Sequence, residues 1–96
     1  MPDDLSTFLV TYRYVPGMEE RRTPHRPAHL EWISELHTAG RLLLAGALLD
    51  PVDSAVLVFR APDAYTLRQL LLADPYARAN LIVEVSVRPF GLVVGG

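Results

Sequence analysis

"RLLLAGALLDPVDSAVLVFR", Arg41 to Arg60, is two short apolar runs parted by Asp50, Pro51, Val52 and Asp53. An Asp-Pro pair favours a turn, so the runs "RLLLAGALL" and "SAVLVFR" read as a hairpin of strands two and three. Working outward from it, Pro27 to Ala39 repeats with helical period and Gly40 supplies a left-handed stop. Before that helix, Leu5 to Tyr14 alternates, with Phe8, Val10, Tyr12 and Tyr14 on one side. Pro16-Gly17 turns the chain between them, and "MEERRTPHR" (18–26) reads as a charged, exposed connection. On the far side of the hairpin, Pro62 or Asp63 opens a second helix whose Leu67, Leu70 and Leu71 share a face, and Pro75 ends it. "LIVEVSVRPF" (81–90) then alternates Leu81, Val83, Val85 and Val87 against Ile82, Glu84, Ser86 and Arg88.

The order strand, helix, strand, strand, helix, strand is that of the split βαβ, or ferredoxin-like, α+β fold. An antiparallel four-stranded sheet carries both helices on one face. The 96 residues suffice for one domain, 1–96. Half are apolar and 21% are charged, the balance of a folded globule.

Nine basic against eleven acidic residues leave a net charge of -2, so no field of one sign draws the chain to nucleic acid or anionic lipid. Every basic residue is arginine, which excludes lysine Schiff-base and lysine general-base chemistry. The absence of cysteine excludes thiolate catalysis, disulfides and cysteine-ligated metal. The start "MPDDLST" is acidic and polar, unlike a secretory signal, and the run Leu42 to Leu49 falls far short of the ~20 residues that cross a bilayer. A cytoplasmic protein with no membrane partner is expected.

Strands two and three are apolar on both sides: Ala55, Leu57 and Phe59 alternate with Val56 and Val58. Two helices cover one face of the sheet, so the other calls for a second copy packed sheet on sheet, a homodimer. The alternative is that the connection Val15 to Arg22 folds over that face.

A helix turns about 100° per residue, which puts His29 between Ile33 and Leu36, inside the apolar arc of Leu30, Trp32, Ile33 and Leu36. An inward imidazole in the first turn favours its neutral form, because apolar surroundings and the helix dipole both oppose the cation. Such a ring can serve as a general base or simply bond a backbone carbonyl within the core. His25 and His29, four apart, have the spacing of a helical metal pair that Glu31 or Asp74 could extend; Pro27 interrupts the geometry, and no metal is expected. Arg21, Arg22 or Arg26 could clamp a carboxylate or phosphate, or stand in solvent. Asp74 either ends the second helix exposed, or meets His29 and fixes its tautomer.

"RPAHL" (26–30), "LHTAGRLLLAG" (36–46), "DPY" (74–76) and "VSVRPF" (85–90) resemble the YciI-related proteins, in the same order and on the same elements. The resemblance implies a ferredoxin-like fold paired into a dimeric α+β barrel, with a pocket centred on a histidine and an aspartate. These map onto His29 and Asp74, and a serine at the start of the third strand maps onto Ser54. It also implies proton-transfer chemistry on small ring compounds, since the wider superfamily includes muconolactone isomerase and a relative that removes chloride from a hydroxylated chloroaromatic. The chain departs from the family pattern where Ala47 follows Gly46 and where the segment before strand three is short.

The expectation is thus a cofactor-free enzyme, an isomerase, lyase or dehydrochlorinase acting on a small acidic or phenolic ligand. His29 takes a proton, Asp74 orients it, Ser54 or Tyr76 hydrogen-bonds the developing oxyanion, and Arg26 helps bind substrate. Its rivals are a small-molecule binding module and a dimerisation domain without turnover.

Overall fold

The computed structural model describes residues 5–95. Four strands, β1 (Ser6–Tyr14), β2 (Leu42–Ala47), β3 (Ser54–Ala61) and β4 (Ile82–Pro89), form one sheet in the order β2-β3-β1-β4 with every pairing antiparallel. Two longer helices, α2 (Arg26–Thr38) and α3 (Ala64–Leu71), are joined by two short ones, α1 (Met18–Arg21) and α4 (Pro75–Arg78). This is the ferredoxin-like α+β arrangement expected from the order of elements.

Alternation in β1 sends Phe8, Val10, Tyr12 and Tyr14 to the helical side, where all four are buried with Leu57 and Phe59 of β3 and Leu67 and Leu71 of α3. Trp32, Ile33 and Leu36 of α2 close the same core. Its last turn ends in a Schellman motif: Arg41 N–H donates to Leu36 O at 2.9 Å and Gly40 N–H to His37 O at 3.0 Å, with Gly40 at φ 77°. Asp63 caps α3, its carboxylate accepting from Thr66 N–H at 2.7 Å.

Three local expectations give way. The charged connection is not an open loop: a left-handed Gly17 starts α1, a 3-10 turn follows over Thr23–His25, and Met18 is 1% exposed in the core. The connection therefore packs on the helical side and does not cover the opposite sheet face. Pro75 does not end the second helix, which stops at Leu71; it occupies the first position of α4, where the missing N–H costs nothing. Val83 does not join the inward row either. A register shift between Arg13 and Tyr14 pairs Tyr14 with Ile82, so Ile82 packs on the core and Val83 is 50% exposed.

The open face carries Leu9, Val56, Val58 and Leu44 toward one side and Thr11, Arg13, Glu84 and Ser86 toward the other. Val58 is buried between its cross-strand partners Leu9 and Leu44, while Arg13 and Glu84 make an exposed ion pair at 3.1 Å. Among the described residues no helix is long and apolar enough to cross a membrane.

Candidate active site

The chain leaves α3 through a tight turn, with Asp74 N–H donating to Leu71 O at 3.1 Å, and Asp74 becomes the N-cap of α4. Its carboxylate folds back to accept from Tyr76 N–H at 2.9 Å. Two further donors reach the same group from distant parts of the chain. The hydroxyl of Tyr12, mid-strand in β1, donates to Oδ2 at 2.9 Å, and Nδ1 of His29, in the first turn of α2, lies 2.8 Å from Oδ1.

Asp74 has no exposed surface, and its oxygens are all engaged as acceptors. The Nδ1 contact is therefore a donation, which leaves the lone pair of His29 on Nε2. No group among the described residues occupies Nε2.

The imidazole is fixed from the side as well. Tyr76 stacks on it with ring centroids 3.8 Å apart and 5° between planes, and Tyr14 meets Tyr76 edge-on at 6.0 Å. Burial, reinforced by the charge of Asp74 and by the hydrogen bond to it, pushes the Tyr12 phenol far above its ordinary value, so that it remains a donor. Tyr14 is raised by burial and by Asp74. Tyr76 is raised by burial, an effect that Arg26 and Arg22 partly offset.

Beside this cluster lies a cavity of about 260 Å³, lined by Tyr12, Tyr14, His29 and Tyr76, by Arg22 and Arg26, and by apolar residues of β2 and β3. Leu30, at 42% exposure, stands at its rim rather than inside the core.

The structure thus brings together four of the five expected site residues: His29, Asp74, Tyr76 and Arg26. Ser54 stands apart. Its neighbour Ala55 faces the helices, so alternation turns Ser54 to the open face, where its hydroxyl donates to Asp53 at 2.7 Å. His25 and Glu31 do not join His29, and the described residues hold no group of three or more acidic or histidine side chains able to bind a metal. Sequence reasoning missed Tyr12, whose hydroxyl sits in a row that otherwise reads as core; a polar atom in an apolar row was the available signal.

The model of the YCII-related domain matches residues 6–91. The chain belongs to the YCII-related family. It is 36% identical over 80 residues to Protein YciI of Escherichia coli, covering 74% of this chain and 82% of that protein, and to the same extent to Protein YciI of Shigella flexneri. Among solved structures it resembles the 5-chloro-2-hydroxyhydroquinone dehydrochlorinase of Burkholderia phenoliruptrix AC1100 in complex with 2,5-dihydroxybenzoquinone. The TM-score is 0.78 at 19% identity, with 88% of this chain and 93% of that chain covered. At that identity the likeness is one of fold.

Proposed function

We propose that this member of the YCII-related family is a cofactor-free enzyme that moves a proton on a small ring or acidic metabolite. The carrying observation is the His29–Asp74 bond at 2.8 Å beside an open cavity, with Nε2 left unspent. In the proposed reaction Nε2 takes a proton from carbon next to a carbonyl, and the C–H electron pair moves to the carbonyl oxygen as an enolate. The Tyr76 hydroxyl hydrogen-bonds that oxygen. The imidazolium, steadied by Asp74, returns the proton to another carbon in an isomerisation; in an elimination a leaving group such as chloride departs with its electron pair. General acid–base help of this kind contributes roughly 10²–10⁴-fold in rate. The dehydrochlorinase with its bound quinone lends support by analogy. Ser54, turned to the other face, has no step in this scheme.

We also propose a homodimer through the apolar half of the open sheet face, the dimeric barrel of the family resemblance. The cavity next to His29 speaks against a domain that only dimerises.

Deuterium exchange tests the chemistry. Incubated in D2O with a panel of small cyclic ketones, lactones and hydroxyquinones, the unmodified protein exchanges an acidic C–H by NMR, and His29→Asn slows that exchange at least about a hundredfold. Equal exchange by both proteins removes His29 as the base.

A further inference from the structure

We infer that the cavity takes its ligand by a carboxylate, held between the guanidinium groups of Arg22 and Arg26, with a body no larger than one substituted six-membered ring. This names the ligand class of the proposed proton transfer and rests on that reading for what the ligand undergoes, though not for its binding.

The charge balance of the cavity comes first. Arg22 closes α1 and Arg26 opens α2, one on each side of the 3-10 turn, and both line the cavity. The described ion pairs are Arg13–Glu84 and His29–Asp74, so neither cavity arginine has a carboxylate partner among the described residues. Asp74 forms no ion pair with them, its oxygens being engaged by three other donors, and its single negative charge balances only one of the two guanidinium groups. Two guanidinium groups against one buried carboxylate leave the cavity an excess of positive charge, and a planar guanidinium fork is matched by a planar carboxylate.

Tyr76 points the same way. It is 1% exposed, its ring is pinned against His29, and its buried hydroxyl has the Arg26 guanidinium as its hydrogen-bonding neighbour. Arg22 and Arg26 act on the same phenol, which puts hydroxyl and guanidinium groups at one end of the cavity.

Size and lining set the body. A cavity of ~150 Å³ accommodates benzene, so about 260 Å³ leaves room for one ring and a carboxylate. Ala45, Ala47, Ala55 and Leu57 give that body an apolar bed.

The test is titration of the 15N-labelled full chain with benzoate, benzamide and phenyl phosphate. Benzoate is expected to saturate with shifts at His29, Tyr76 and their neighbours, and benzamide to bind about tenfold more weakly or worse. Arg22→Gln and Arg26→Gln should each weaken benzoate by about tenfold, with thermal melts confirming that each variant is folded. Equal affinity for benzoate and benzamide, or undiminished benzoate binding in both arginine variants, overturns the proposal. Phenyl phosphate binding well ahead of benzoate overturns the carboxylate assignment in favour of a phosphate ester. Charge-dependent benzoate binding without deuterium exchange on any carbon acid supports the subsite and removes the catalytic reading. Exchange on neutral ketones with no benzoate binding does the reverse.

Discussion

Asp74 joins three segments at one carboxylate: the cap of α4, the centre of β1 and the first turn of α2. Such a group is worth more to position than to strength, because each donor it accepts fixes the direction of the next. Tyr12 makes the point testable. Tyr12→Phe leaves a buried carboxylate oxygen unpaired and is expected to cost about 1–3 kcal/mol, read as a lower thermal midpoint. In the proposed reaction Tyr12 acts through Asp74 and His29, so kcat for deuterium exchange should fall while KM changes little; a rise in KM alone would place Tyr12 in substrate binding instead. The buried phenols also set an alkaline limit. Burial raises Tyr12, Tyr14 and Tyr76 above the unfolded value of 10.0, so unfolding releases their protons at high pH. Their contribution to stability is complete below about pH 10 and declines as pH climbs past it. Denaturant midpoints at pH 9, 10 and 11 should show that decline, and a flat profile counts against it.

At the scale of elements, the site depends on how helices begin and end. The first turn of α2 carries Arg26 and His29, α1 delivers Arg22, and α4 begins at Asp74. Where α2 ends, Gly40 at φ 77° allows the chain to reverse into β2, whose residues line the cavity. A Cβ at Gly40 meets no atom within 4 Å, so the cost of Gly40→Ala is conformational alone, about 1 kcal/mol by chemical denaturation. A neutral effect would show that the turn relaxes. Helical and strand periods made α2 and β2 legible in the chain, since each depends on residues a few positions apart, whereas α1 and α4, four residues each, are too short to show a period and read as a connection and a helix stop. The register shift that exposes Val83 was not legible, because it arises from pairing with β1 and leaves no mark in the local alternation.

For the whole molecule, the question is what meets the open sheet face. Leu44 is 55% exposed on edge strand β2, next to Val58 and in line with Leu9. An arginine there leaves the helical core untouched. Light scattering of the unmodified chain is expected to give twice the 10.7 kDa monomer mass, and Leu44→Arg to shift it to the monomer with little change in the far-UV spectrum. A monomeric mass for the unmodified chain would remove the dimer.

The amino-acid sequence by itself determined the order of elements, the inward face of β1 and the inward turn of His29. All three follow from periods of two or 3.6 residues, which fix the side of an element on which a residue lies. Tertiary structure alone decided what those residues meet. His29 and Asp74 are 45 positions apart, and Tyr12 and Asp74 are 62. No local period encodes such distances; they depend on how α2 and α4 settle across the sheet. The same packing buried Met18 in a connection that reads as charged and left Ser54 on the far side of β3. Periodicity assigns faces, whereas the cavity is made by the gaps between faces, and those exist only once the layers have closed.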